Sequence, residues 1–312
     1  MIADPPVSTP LGRHLLDVEG LSSSFLERVC DLAVEMREAR AARRHRSLLE
    51  DETVALAFFE PSTRTRISFE LAARALGATT VDLAVEASSV RKGESLVDTV
   101  RTLERTGVTT LVIRHSAAGT AHLAARVTGL RVVNAGDGAH AHPTQALADL
   151  LTLREELGSL RDRTVAIVGD VAHSRVARSN LHALTAVGAR VRVAGPPAWV
   201  AGFETWAGVE VAASLERALE GADAVMALRV QLERDAGTDG SSLAAYVRDW
   251  RLDDERMGLA TPGAPILHPG PTNEGREITA ELAGGPRSLI GRQVENGVPV
   301  RMAVLALLAG AA

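Results

Sequence analysis

Two hydrophobic patterns alternate along this chain: continuous apolar runs of strand length, and stretches in which apolar residues return every three or four positions. The first stretch is helical. Phe25, Val29, Leu32, Ala33 and Met36 follow Ser24-Phe25-Leu26-Glu27, which reads as a capping box, and predict an amphipathic helix to about Arg44. Residues 53–59 form an apolar strand, 66–76 a helix that stops at Gly77, and 79–85 a second strand. Helices at 94–106 and 121–128 then alternate with strands at 109–113 and 131–134. After a helix at 144–157 the alternation resumes, with strands at 164–168, 190–194, 209–212, 224–228 and 264–267 and helices at 175–186, 215–219 and 243–250. The pattern predicts an α/β protein of two doubly wound domains, each a parallel sheet flanked by helices, joined near His142-Pro143. Residues 292–308 read as a last helix, and 232–242, rich in Asp, Gly and Ser, as a surface loop.

Composition narrows the function classes. With 34 basic and 39 acidic residues the net charge is −5, so the overall electrostatic attraction of a nucleic-acid or anionic-membrane binder is missing. The single Cys30 allows no internal disulfide and points to a reducing compartment. Residues 302–312 are apolar but too short to cross a bilayer, and no signal-peptide core opens the chain, so a cytoplasmic location is expected. With only nine aromatic residues, packing rests on Leu, Val and Ala.

The chemistry gathers where strands meet helices. Ser62-Thr63-Arg64-Thr65-Arg66 lies between a strand ended by Pro61 and a helix whose first N–H groups have no internal partner. Those donors, the hydroxyls of Ser62, Thr63 and Thr65, and the Arg64 guanidinium would make a phosphate site; a capped helix with solvated arginines is the plainer alternative. Arg114 ends a parallel strand, where ligand crevices of such sheets open. His140 and His142 suggest a metal only weakly, no acidic or cysteine ligand being evident beside them, so hydrogen-bonded histidines are expected. His142 and Gln145 flank a helix start, where an imidazole and an amide can meet a carbonyl and its amino group. The strand before Gly169 invites a dinucleotide reading, but the second and third glycines of that fingerprint are absent. Arg175, Arg229 and Lys92 would together suit a substrate with two carboxylates, and His268-Pro269-Gly270-Pro271 is a rigid elbow with scope for a cis bond before Pro271.

In this order, the motifs resemble the aspartate/ornithine carbamoyltransferase family over nearly the whole chain. The Ser-Thr-Arg-Thr-Arg turn and His142-Pro143-Thr144-Gln145 are similar to carbamoyltransferases in general. Lys92-Gly93-Glu94, Arg229-Val230-Gln231, the 268–271 elbow, His173-Ser174-Arg175 and Val300-Arg301-Met302-Ala303-Val304 resemble the aspartate branch, and the His-Cys-Leu-Pro stretch of ornithine enzymes is not found. Thr272-Asn273-Glu274 departs from the Met-Asn-Arg of many relatives, which bears on the contacts of that loop.

The resemblance implies carbamoyl transfer from carbamoyl phosphate to the amine of L-aspartate, a step toward pyrimidines, without metal or organic cofactor. It implies a carbamoyl phosphate domain over 1–143 with the last helix, 292–312, returning to it, and an aspartate domain over 144–291. Ser62, Thr63, Arg64 and Thr65 would hold the phosphate; Thr65, Arg114 and His142 would polarise the carbonyl. Gln145 and the carbonyls of Pro269 and Gly270, ahead of Pro271, would bind the carbamoyl amino group. Arg175, Arg229 and Gln231 would bind aspartate, with Ser88 and Lys92 arriving from a neighbouring subunit of a homotrimer. Regulatory chains or a dihydroorotase could join a larger assembly. The competing readings are a carbamoyltransferase for another amine such as ornithine, and a noncatalytic scaffold subunit.

Overall fold

The structure, a computed structural model, describes residues 12–42, 47–83, 94–230 and 240–312. The chain divides into two compact units, Met1–Ala148 with Glu295–Ala312, and Asp149–Val294. Within the first, β1 (His14–Leu15), β2 (Thr53–Phe58), β3 (Thr79–Asp82), β4 (Thr110–His115) and β5 (Arg131–Asp137) form one parallel sheet in the order β1-β5-β4-β2-β3. Its helices are α1 (Ser23–Ala41), α2 (Thr63–Ala75), α3 (Leu96–Arg105), α4 (Thr120–Val127) and the start of α5 (Pro143–Leu157). The sheet's central strands are apolar on both faces because helices cover both. Ala55, Leu111, Ile113 and Val132 pack there with Val100 and Leu103 of α3 and Ala121 and Ala124 of α4.

The second unit repeats the plan with β6 (Thr164–Val168), β7 (Arg190–Ala194), β8 (Val209–Val211), β9 (Ala224–Ala227) and β10 (Ile266–Leu267), all parallel, in the order β10-β9-β6-β7-β8. Between them lie α6 (Arg175–Ala186), α7 (Pro197–Val200), α8 (Leu215–Leu219), α9 (Gly240–Trp250) and α10 (Asp254–Met257), and α11 (Ala280–Ala283) follows β10. Val168, Leu215, Val225, Ile266, Ile278 and Leu282 sit in one buried cluster of this unit. Gly169 has φ +123°, and a Cβ there would stand 3.1 Å from the Leu228 Cβ, so backbone conformation and packing both call for glycine at this position.

The chain's last helix, α12 (Ile290–Leu308), is continuous, and from Glu295 onward it belongs to the first unit. Arg37 of α1 donates to Asn296 Oδ1 at 2.9 Å, and the Arg301 guanidinium lies 5.0 Å from the centre of the Phe69 ring of α2. The expected return of this helix to the first domain is therefore observed. Among the described residues, no helix is long and apolar enough to cross a membrane.

Two local expectations are corrected. Helix α1 begins one residue before the proposed capping box: the Ser22 hydroxyl accepts the Phe25 N–H at 3.2 Å, while Ser23 rather than Ser24 reaches Glu27. Helix α2 starts at Thr63, three residues before the apolar periodicity, because Ser62 adopts the extended conformation of an N-cap and its carbonyl accepts from Arg66. Ser88, Lys92, Gln231 and most of the loop expected at 232–242 lie outside the described residues.

Candidate active site

In the first unit three chain segments carry the predicted chemistry, each leaving the carboxyl end of a parallel strand. The segment after β2 turns through Pro61 into α2, placing Thr63, Arg64 and Thr65 in its first turn, where backbone N–H groups lack helical acceptors and the helix end is positive. Ser62 holds the N-cap position but its hydroxyl makes no capping bond. Thr63 and Arg64 are exposed and Thr65 is buried. Arg66, the last residue of the Ser-Thr-Arg-Thr-Arg motif, keeps 41% of its side chain exposed and forms an ion pair with Asp82 on β3. It faces away from the phosphate turn because a helical residue two positions on occupies another side.

Arg114 near the end of β4 is largely buried; its guanidinium donates to the Ala135 carbonyl at 3.3 Å and lies 3.5 Å from Glu60. A planar group held on two sides has a fixed direction. After β5 the chain reaches His142, 4% exposed, whose carbonyl accepts from Gln145 and Ala146 and so opens α5 ahead of Pro143. Gln145 is half-buried one residue beyond the fully buried Thr144.

Sequence reasoning missed the group that shapes this loop. Asp137, 1% exposed, accepts N–H bonds from Gly119 (2.7 Å), Ala141 (3.1 Å) and the Asn134 amide (2.8 Å). His140 faces Asp137 through Nδ1 at 3.1 Å and Asp17 through Nε2 at 3.2 Å. The expectation that no acidic partner stands beside His140 is thus corrected: Asp137 lies three residues before it, and both ring nitrogens are engaged by carboxylates. Among the described residues, no group of three or more His, Cys, Asp and Glu side chains could hold a metal ion. Gly138 completes the loop with φ +49°; a Cβ there would come within 2.9 Å of the Ala118 nitrogen.

In the second unit, Arg175 is the first residue of α6, whose N-cap Ser174 accepts from Ala177 at 3.1 Å. Arg229 follows β9 by two residues. The elbow after β10 contains a cis Gly270-Pro271 bond, as its sequence allowed. Tyr246 of α9 is buried beneath this end of the sheet, and its hydroxyl is pushed above the usual tyrosine range by burial and then by the carboxylates of Glu277 and Asp170. It is therefore a neutral phenol near neutral pH.

Comparison with known proteins decides the family. Residues 13–155 match the aspartate/ornithine carbamoyltransferase carbamoyl-P binding domain, and 161–308 match the Asp/Orn binding domain of the same family. The chain belongs to the aspartate/ornithine carbamoyltransferase family. An aspartate carbamoyltransferase catalytic subunit from Gluconacetobacter diazotrophicus is 50% identical over 96% of this chain and 94% of its own length. Another from Methylorubrum populi is 51% identical over 95% of each. Among solved structures, aspartate transcarbamoylase from Trypanosoma cruzi with carbamoyl phosphate and aspartate superposes with a TM-score of 0.85 at 32% identity, covering 97% of this chain and 98% of that one. Ornithine carbamoyltransferase from Pyrococcus furiosus reaches 0.87 at 28% identity, with 96% and 98% covered. Carbamoyltransferases of both branches thus share this backbone, and the side chains must separate them.

Proposed function

We infer that the chain is an aspartate carbamoyltransferase, transferring the carbamoyl group of carbamoyl phosphate to the amine of L-aspartate in pyrimidine biosynthesis. The observation that carries this is the half-identity, over almost the full length, to catalytic subunits of that activity. The cationic second-unit residues Arg175 and Arg229 agree, since ornithine would ask for an acidic partner to its side-chain ammonium.

The site roles follow from chemistry. The start of α2, with its N-cap Ser62, the exposed Thr63 and Arg64 and the buried Thr65, takes the phosphate through N–H groups, hydroxyls and one guanidinium. Attack of the aspartate amine on the carbonyl carbon produces a tetrahedral oxyanion. Thr65, Arg114 and His142 donate to it, and fixed donors stabilise that charge more than the planar ground state. Gln145 and the Pro269 and Gly270 carbonyls hold the carbamoyl amino group, and Arg175, Arg229 and Gln231 take the two carboxylates. The C–N bond forms first; collapse of the tetrahedral oxyanion then breaks the C–O bond to phosphate, and the departing phosphate accepts the amine's proton. No side-chain nucleophile is needed; holding both substrates supplies the effective concentration.

The assembly that suits this reading is a homotrimer in which Ser88 and Lys92 serve a neighbour's site. Ile67 and Leu71, one turn apart on α2, and Val81 on edge strand β3 are all at least 40% exposed, an apolar surface of the kind a second copy covers. Purified chain offered carbamoyl phosphate with aspartate or with ornithine tests the function: carbamoylaspartate alone should form, and equal turnover of ornithine overturns the assignment.

A further inference from the structure

The second unit contains a run of buried polar side chains that the reaction itself does not use. Asp149 on α5 accepts from Asn180 of α6 and from the Gln293 amide nitrogen of α12, both at 2.8 Å. The oxygen of that same Gln293 amide accepts the His268 backbone N–H at 2.9 Å. The His268 ring, 1% exposed, accepts the Gly270 N–H through Nδ1 at 2.8 Å, which assigns its proton to Nε2, 3.2 Å from Glu277 Oε1. Glu277, also 1% exposed, accepts the Asn273 N–H through the same oxygen, and the Asn273 side chain donates to the Val230 carbonyl at 3.1 Å.

This run touches each place where the second unit presents groups to its substrate. It enters α6, which begins at Arg175; it braces both sides of the elbow containing Pro269 and Gly270; and it ends on the residue after Arg229. Apolar side chains would fill the same space without the desolvation cost of a buried carboxylate. What they could not do is set the direction of carbonyls and of a guanidinium-bearing strand end, which directional bonds do. We propose that Glu277 is a positioning residue for the amino-acid half of the reaction, fixing the Pro269–Gly270 carbonyls through His268 and the approach of Arg229 through Asn273.

The proposal rests on the function inferred above, and its test keeps the two apart. Glu277→Gln retains the accepting oxygen, whereas Glu277→Leu removes it. In the leucine variant the KM for aspartate should rise at least about tenfold while inorganic phosphate binds within about twofold of wild type, and glutamine should restore most of the aspartate KM. An unchanged aspartate KM in the leucine variant, equal impairment of both variants, or an equal loss of phosphate affinity overturns the proposal. Should the leucine variant not fold, Asn273→Ala removes only the strut to Val230, and an unchanged aspartate KM there overturns it. A wild-type chain inert toward aspartate would sink the function instead. Amide exchange then decides the positioning claim: faster exchange at Gly270 and Asn273 in the leucine variant supports it, and unchanged exchange refutes it.

Discussion

The Asp137 carboxylate accepts the Gly119 N–H at 2.7 Å, tying the turn that follows β4 to the loop that follows β5. The first turn follows Arg114 and the second leads to His142, so one buried carboxylate sets the spacing of two proposed oxyanion donors from opposite sides. Asp137→Ala leaves several buried N–H groups without an acceptor, each costing about 1–3 kcal/mol. The melting temperature should fall, and kcat should drop about a hundredfold, the scale expected when catalytic groups move by an ångström. Asp137→Asn, which keeps one accepting oxygen, should recover part of kcat. Full activity in the alanine variant would show that the loop is held by other means.

Binding and chemistry should separate in the first unit. Arg64→Ala should weaken phosphate binding and nearly abolish turnover. His142→Ala should chiefly lower kcat, by about 10²–10³, if it loses one oxyanion donor. Steady-state kinetics with calorimetric titration of phosphate distinguish the two, and an unaltered kcat in the histidine variant would remove it from the site.

A shared site makes a quantitative demand. If Lys92 serves the neighbour, Arg64→Ala and Lys92→Ala chains are each inactive alone, but random equal mixing gives each site a half chance of an intact Arg64 and a half chance of an intact Lys92. About a quarter of wild-type activity should then return in a closed trimer. If native mass spectrometry shows that subunits have exchanged and no activity returns, the site is built within one chain.

Acid should loosen the sheet at β1. The His14 Nδ1 accepts the Val132 N–H at 3.2 Å, and burial, then the adjacent Arg13 charge, hold its imidazole below the usual histidine value. The unfolded chain therefore takes up this proton first as pH falls. The stabilisation is complete above about pH 6.5 and is lost as pH falls through the lower folded value. Melting temperatures between about pH 7.5 and about pH 5.5 should decline less in His14→Gln than in wild type. Equal slopes would assign the acid sensitivity elsewhere.

Legibility from sequence followed what each signal depends on. The runs at 164–168, 190–194, 175–186 and 215–219 match β6, β7, α6 and α8 residue for residue, because each is an apolar period with a polar residue or a glycine within two positions of either end. Strand β1 spans two residues and has no period to read; its pairing with β5 alone defines it. Three serines in a row, Ser22 to Ser24, left the cap of α1 ambiguous. The phosphate turn was legible because its residues are consecutive. Arg66 was not, because its partner Asp82 stands on another strand. Asp137 and Glu277 look like ordinary loop carboxylates until folding buries them among backbone N–H groups.

The place of α12 bears on how the chain folds as it is made. Residues from Glu295 onward leave the ribosome after all of Asp149–Val294, yet they complete the first unit, where Asn296 meets Arg37 and Arg301 lies over Phe69. The amino-terminal sheet therefore waits with its α1 and α2 surfaces uncovered while a second, later-synthesised body can already close. The usual order of vectorial folding, first domain first, is inverted for its final step. A nascent chain stalled just before Glu295 is the species in which apolar residues of the first unit lie open to a chaperone.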